Sequence, residues 1–258
     1  MQHSNLINQL INISINAGEI LMKHFNNGVS TKIKGDLSPV TAADIEADRL
    51  ISKYISELTN IPVISEEGKN FVSNSIRNYF LVDPLDGTKS FIKGEEDFTV
   101  NIGLIENNRT VLGVIYKPVT EELFYTKNGA SYYKKSKLKE VEIRCSNKPR
   151  DNKYRVIASK SHLDEQTKNY VDKIEVKEFI RASSSLKFCK LAMGEADIYP
   201  RFGNTMQWDT AAGQAILEHA GGSVIKPDGE EFMYILNDDE KCLLNGFFIA
   251  RGWREGFC

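Results

Sequence analysis

The sequence predicts an α+β / α/β layered sandwich, with an antiparallel α+β half over residues 1–145 and an α/β half over residues 146–258. Three observations carry this. Apolar residues recur at helical spacing before residue 60, and short apolar runs joined by polar turns crowd residues 61–126. From Tyr154 onward, strand-like and helix-like segments alternate.

The elements follow in order. Leu6, Ile7, Leu10, Ile13, Ala17, Ile20, Leu21 and Phe25 form one helical face, with Ser4 as a candidate N-cap and Asn27-Gly28 as the stop. The polar stretch from Lys32 to Val40 is a turn-rich connection, and Thr41-Ala42-Ala43-Asp44 has capping-box spacing. A second helix turns Ile45, Leu50, Ile51, Tyr54, Ile55 and Leu58 toward the core. Ile61-Pro62-Val63-Ile64 is a short strand ending at Ser65-Glu66-Glu67-Gly68. Tyr79–Val82, Phe98–Ile105, Thr110–Tyr116 and Leu123–Thr126 form an antiparallel meander, and the Lys-rich segment Tyr133–Lys139 is a loop or edge. Strands are expected at Tyr154–Ala158, Glu178–Ile180 and Ala196–Tyr199, and helices at Ser184–Met193 and Asp209–Ala220.

Composition narrows the function classes. The chain has 258 residues, 41% hydrophobic and 26% charged, enough for one large or two small packed cores. Lys and Arg number 33 against 35 Asp and Glu, a net charge of -2, so no bulk basicity points to nucleic acid. Cys145, Cys189, Cys242 and Cys258 are scattered without zinc-like spacing and are expected as reduced thiols of a cytoplasmic protein. Neither a leader-like segment nor an apolar run of membrane-spanning length is expected.

Asp83-Pro84-Leu85-Asp86-Gly87-Thr88 is the richest stretch. It follows the apolar run Tyr79–Val82 and precedes a helix start, gathering two carboxylates and a run of amides at one strand end. Two ionised carboxylates about 4 Å apart repel by roughly 4 kcal/mol at an effective dielectric of 20, so a fold that converges them usually supplies a cation. Gly87 allows close backbone approach to a ligand. The six residues by themselves are equally compatible with an Asp-rich type I turn. The Asp-x-Asp-Gly-Thr loop of haloacid-dehalogenase phosphatases is disfavoured, because Pro84 stands where that loop needs its nucleophilic Asp.

More acids stand at comparable places. Glu66 ends its strand, Asp44 opens the second helix, and Asp209 lies in Trp208-Asp209-Thr210-Ala211-Ala212-Gly213, where small residues permit close packing. Each by itself also suits a loop or a helix first turn. Together, the Glu-Glu pair, the Asp-Pro-Leu-Asp-Gly-Thr run and the Trp-Asp-Thr-Ala-Ala-Gly run resemble the lithium-sensitive, magnesium-dependent phosphatase superfamily of inositol monophosphatase, in that family's order. The resemblance spans about residues 5 to 250. Within it, Asp83–Phe91, Phe98–Ile102, Ser184–Phe188 and Ala196–Arg201 look like the 3'(2'),5'-bisphosphate nucleotidase (CysQ-type) branch.

The resemblance implies an αβαβα sandwich and two or three Mg²⁺ ions held by Glu66, Asp83, Asp86, Asp209 and the Leu85 carbonyl. Oxygen ligands without His or Cys agree with Mg²⁺. It further implies that Asp44 orients the Thr88 hydroxyl and, through it, the attacking water. Substrate contacts are expected from Glu66, Leu85, Asp86, Gly87, Thr88 and Asp209, from Ser159 and His162, and from Ser183, Ser184, Ser185, Lys187 and Arg201. Ser183 stands where the family has glycine. The implied reaction removes the 3'-phosphate of adenosine 3',5'-bisphosphate, with 3'-phosphoadenylyl sulfate as a related substrate, in the cytoplasm or on the cytoplasmic face of the inner membrane. The alternatives are an inositol or sugar monophosphatase with the same metal site and a non-catalytic phosphate-ligand sensor. The intact acid set and the water-orienting pair argue against the sensor.

Overall fold

The computed structural model describes residues 3–28, 31–33, 39–68, 72–159 and 163–255. Helix α1 (His3–Asn27) turns Ile7, Leu10, Ile13, Ala17 and Leu21 inward at intervals of three to four residues. Ser4, expected as its N-cap, falls within the described helical span. A short antiparallel pair, β1 (Thr31–Ile33) and β2 (Pro39–Thr41), leads into α2 (Ala42–Leu58). Thr41 caps α2 through the expected box. The core stripe of α2 is Ala43, Ala47, Ile51 and Ile55. Tyr54 and Leu58, expected inward, are exposed: Tyr54 lies on the flank of that stripe and Leu58 is the last helical residue.

The first sheet contains β3 (Val63–Ser65), β4 (Asn78–Asp86), β5 (Thr99–Glu106), β6 (Arg109–Lys117), β7 (Glu122–Lys127), β8 (Ala130–Lys135) and β9 (Val141–Ile143), in sequential order, with helix α3 (Thr88–Ile92) between β4 and β5. β3 runs parallel to β4 and every later pair is antiparallel. The hairpin turns Asn107-Asn108 and Asn128-Gly129 have positive φ at both residues, the geometry that matches strand twist. Part of the Lys-rich segment is strand, because Tyr132 and Tyr133 pair across β7 with Tyr125 and Phe124 as ring contacts.

The second half supplies β10 (Lys153–Ser159), α4 (Glu165–Val171), β11 (Glu175–Ala182), α5 (Leu186–Ala192), β12 (Ile198–Arg201), α6 (Gln207–His219), β13 (Ser223–Ile225) and β14 (Phe248–Arg251). Its sheet is ordered β11-β10-β12-β14-β13. β10 is parallel to β11 and β12, whereas β14 is antiparallel to both of its neighbours.

Strand alternation fixes the layers. Phe80 and Val82 of β4 pack with α1 and α2, while Tyr79 and Leu81 face a cluster with Phe188 and Leu191 of α5 and Ala211 and Leu217 of α6. That cluster continues into Ile157, Tyr199 and Phe248 of the second sheet, whose other face packs Val156, Ile198 and Ile249 against Val171 of α4. The result is the αβαβα sandwich. α6 approaches the first sheet so closely that a Cβ on Gly113 would stand 2.3 Å from the Ala212 carbonyl oxygen. Among the described residues no helix is long and apolar enough to cross a membrane. Cys145, Cys189 and Cys242 are free thiols, and Cys258 lies outside the described residues.

Candidate active site

Asp83 and Asp86 are three residues apart, which in a regular strand would place them on opposite faces. A bulge prevents this. Asp83 pairs with Asn101 and Asp86 with Thr99, three residues against two, so both acids take the face turned to α5 and α6. Gly87 then turns the chain into α3 at φ +99°, and a Cβ there would lie 2.8 Å from the Asp97 carbonyl oxygen. α3 has only five residues.

Asp44 serves two partners at once. Its Oδ2 accepts from the Thr41 N–H at 2.8 Å, closing the α2 cap, and its Oδ1 accepts from the Thr88 hydroxyl at 3.2 Å. The same hydroxyl lies 3.1 Å from the Leu85 carbonyl oxygen, so two acceptors share one hydrogen. Asp44 is 2% exposed, and burial lifts its carboxyl above the ordinary range against the pull of its hydrogen bonds from Thr41 and Thr88.

The remaining acids form a mouth of one sign. Glu66 follows β3, and its N–H bonds to the Val82 carbonyl beside Asp83. Asp209 is the third residue of α6, and its Oδ2 accepts from the Met206 N–H at 2.8 Å. Burial, then Glu66, Asp86 and Asp209, push the Asp83 carboxyl well above the ordinary range, with the Leu85 N–H opposing. Asp209 is pushed up to about 8 by burial and by Asp86. The charged neighbours that raise Asp83 are all anions. Among the described residues no three His, Cys, Asp or Glu side chains close around a single point. The groups that meet at this mouth, the carboxylates of Glu66, Asp83, Asp86 and Asp209, offer oxygens alone, the ligand type that Mg²⁺ takes. The donor set therefore fits a divalent cation of this kind.

On the other side of the mouth, Ser159 ends β10 in register with Ala182, which sets it beside the 183–187 loop. The hydroxyls of Ser184 and Ser185 are turned inward, Ser184 to Asp86 at 2.6 Å and Ser185 to Asn101 at 2.8 Å. Lys187 is buried, and its Nζ donates to the Ser184 carbonyl at 2.6 Å. Burial pushes this ammonium down to about 8; Arg201 acts in the same direction and Asp86 and Asp209 oppose it. Arg201 donates to the Asn204 carbonyl at 2.9 Å, and its buried Nε has no partner among the described residues. The positive φ of this loop falls at Ser184 (φ 57°) and not at Ser183, so a side chain at 183 meets no left-handed strain. His162 lies outside the described residues.

Two residues of this region carried no role in the sequence reading. Asn101 gives its amide to Asp86 at 3.0 Å, and the Thr99 hydroxyl bonds to Asn101 at 3.0 Å. The available signal was a Thr and an Asn two apart on one face of a strand whose next residues, Ile102–Ile105, are apolar or glycine. The cavity of about 710 Å³ between α1 and the β6–β7 region, lined by Met22, Tyr116 and Tyr125 among others, contains none of the site acids and is a separate feature.

The profile of the inositol monophosphatase family matches residues 2–252. The 3'(2'),5'-bisphosphate nucleotidase CysQ of Salmonella typhimurium is 40% identical over 235 residues, covering 89% of this chain and 94% of its own. The CysQ nucleotidase of Escherichia coli (strain K12) is 38% identical over 251 residues, covering 95% and 99%. The crystal structure of CysQ from Bacteroides thetaiotaomicron aligns with a TM-score of 0.81 at 34% identity over 98% of each chain. On the profile match and these relatives, the chain belongs to the inositol monophosphatase family.

Proposed function

We propose that this chain is a cytoplasmic Mg²⁺-dependent phosphatase that hydrolyses the 3'-phosphate of adenosine 3',5'-bisphosphate to AMP and inorganic phosphate. The observation that carries it is a cluster of acids around the buried Asp83, with Asp83 and Asp209 raised by their acidic neighbours, beside a threonine hydroxyl held by the buried Asp44. Near full-length similarity to nucleotidases of that name supports the substrate class.

Glu66, Asp83, Asp86, Asp209 and the Leu85 carbonyl would hold the metal, two or three ions in all. Mg²⁺ there supplies Lewis acidity toward the phosphoryl oxygens and the leaving alkoxide. The chain's own residues prepare the water. The Thr88 hydroxyl, donating to Asp44, would present its oxygen as an acceptor for a hydrogen bond from water. Asp44, lifted by burial, is a better proton acceptor than an exposed aspartate. Water oxygen attacks phosphorus as the bond from phosphorus to O3' breaks; one water proton moves toward the Thr88–Asp44 pair, and the electron pair of the broken bond stays on O3', which takes up a proton from solvent to become the 3'-hydroxyl of AMP. Lys187 and Arg201, close enough for Arg201 to act on the Lys187 ammonium, would be the cations that meet the second phosphate, together with Ser159 and Ser183. The unpartnered Arg201 Nε supports that assignment.

Phosphate release with and without Mg²⁺ from adenosine 3',5'-bisphosphate, inositol 1-phosphate and fructose 1,6-bisphosphate tests the proposal. Mg²⁺-dependent turnover of the nucleotide at the highest kcat/KM is expected. Preference for inositol phosphate would replace the substrate, and silence on all three would favour a sensor.

A further inference from the structure

Strand β5 carries two polar side chains into a dry interior: Thr99 is 0% and Asn101 1% exposed. Buried polar groups need partners, and these meet theirs at Asp86. The Asp86 Oδ2 accepts from Asn101 Nδ2 at 3.0 Å, from the Ser184 hydroxyl at 2.6 Å and from the Ser185 N–H at 2.7 Å. All three fall on one oxygen. The amide orientation is dictated by chemistry, since an ionised carboxylate only accepts and the Asn101 nitrogen must therefore face it. Its Oδ1 then accepts from the hydroxyls of Thr99 at 3.0 Å and Ser185 at 2.8 Å, which fix the amide plane. Ser184 holds a left-handed conformation at φ 57° that a serine seldom adopts, with its hydroxyl on Asp86 and its carbonyl on Lys187.

We infer that Asn101, clamped by Thr99 and Ser185, is a positioning residue that occupies one oxygen of Asp86 and commits this carboxylate to a divalent cation through the other oxygen alone. The inference rests on the metal-dependent reading above. Three donors fill the acceptor capacity of Oδ2, so Asp86 has only Oδ1 to offer. One-oxygen ligation suits Mg²⁺, with its strict octahedral shell, whereas Ca²⁺ accepts bidentate carboxylates in larger shells. The network thus favours the smaller ion. It also ties β4 and β5 of the first sheet to the loop before α5, so the orientation of Asp86 depends on the seating of the second half.

The test is calorimetric titration of metal-free protein with Mg²⁺ and separately with Ca²⁺. Hydrogen-bond partners of metal ligands are typically worth 10–100-fold in affinity, so Asn101→Ala is expected to weaken Mg²⁺ binding by about tenfold or more and Ca²⁺ binding by less. The Mg²⁺/Ca²⁺ affinity ratio therefore falls, a change that general loosening of the fold would not produce. A folded Asn101→Ala protein with the wild-type ratio overturns the inference. Should that variant fail to fold, Thr99→Val and Thr99→Ser decide: the valine form is expected to bind Mg²⁺ several-fold more weakly and the serine form to restore it, and equal affinities overturn the inference. Absence of Mg²⁺ binding by wild-type protein would instead remove the proposed function itself, which keeps the two failures apart.

Discussion

Two buried aspartates in this molecule have opposite surroundings. Asp197, beside β12, accepts from the Arg155 backbone N–H at 2.7 Å, from its guanidinium at 2.6 and 3.1 Å and from the Ser146 hydroxyl at 3.0 Å. Despite burial, those partners hold its carboxyl below the ordinary range. Asp83 is as well buried, accepts from the Leu85 backbone N–H, and is raised by the acids Glu66, Asp86 and Asp209. The fold can neutralise an interior acid and does so at Asp197. At the β4 end the charged neighbours that act on Asp83 raise it instead, and a buried acid so placed is stable in its ionised form only with a compensating cation. The difference separates an acid kept for structure from acids kept for chemistry.

The largest expected effect tests the chemical side of this contrast. Asp83→Asn or Asp209→Asn should lower kcat by about a thousandfold or more, since a metal's stabilisation of transition-state charge is worth several kcal/mol. Metal-free stability should hold or rise, because a raised acid has been removed. Steady-state kinetics paired with denaturant melts in EDTA read both quantities, and a variant that loses stability with its activity would blur the distinction. Next come Thr88→Ala and Asp44→Asn, each expected to cost about 10²–10⁴-fold in turnover while Mg²⁺ affinity by calorimetry changes little. Near-normal turnover in both would dissolve the water-orienting pair.

The structural side gives the converse. Asp197→Asn leaves Arg155 without its anion and should cost about 3 kcal/mol, lowering Tm by roughly 6–12 °C. Arg155 is 26% exposed, which puts the cost at the low end for a buried pair. Mg²⁺ dependence and kcat at permissive temperature should stay near wild type. A loss of Mg²⁺ affinity would show that Asp197 is coupled to the site.

What the sequence disclosed follows the same division. Asp44, Glu66, Asp83, Asp86, Thr88 and Asp209 were picked out as a set by the resemblance of their motifs, since an acid at a strand end or a helix start is by itself equally compatible with a turn or a first-turn cap. The layers were legible because alternation and helical period mark burial directly, as in Tyr79–Val82 and in the α1 stripe. Asn101 and Thr99 were not, because their role exists only when the bulge at Pro84-Leu85 sets Asp86 opposite Thr99 and the 183–185 loop arrives from the other half of the chain. Nor did the sequence show that the Ser184 and Ser185 hydroxyls are spent inward, since a serine pair at a helix start is compatible with either direction. The tendency of Tyr54 and Leu58 to face water had the same origin, as the width of a helix's buried stripe is set by its partner.

The smallest effect is the most direct reading of the raised acids. Asp209 in the folded protein is pushed up to about 8 from an ordinary 3.8, and Asp83 is raised as well. Between these limits the folded metal-free protein binds protons at these two acids that the unfolded chain has released, so their contribution to stability is fully present below about pH 4 and declines as pH rises toward 8, whereas lowered acids such as Asp197 lose theirs only at acid pH. Lys187, pushed down to about 8, contributes with the opposite sign and only above that pH, so the lower window belongs to the acids. Melting temperatures in EDTA should therefore fall between pH 5.5 and pH 8, and the gain in Tm from saturating Mg²⁺ should grow over the same range, because the ion binds the deprotonated carboxylates. Asp209→Asn should flatten that slope by a few degrees, whereas Asp197→Asn should lower both curves together and leave the slope intact. A Mg²⁺ gain independent of pH in the wild-type protein would mean that the mouth already holds its acids ionised, and the distinction between Asp83 and Asp197 would fall with it.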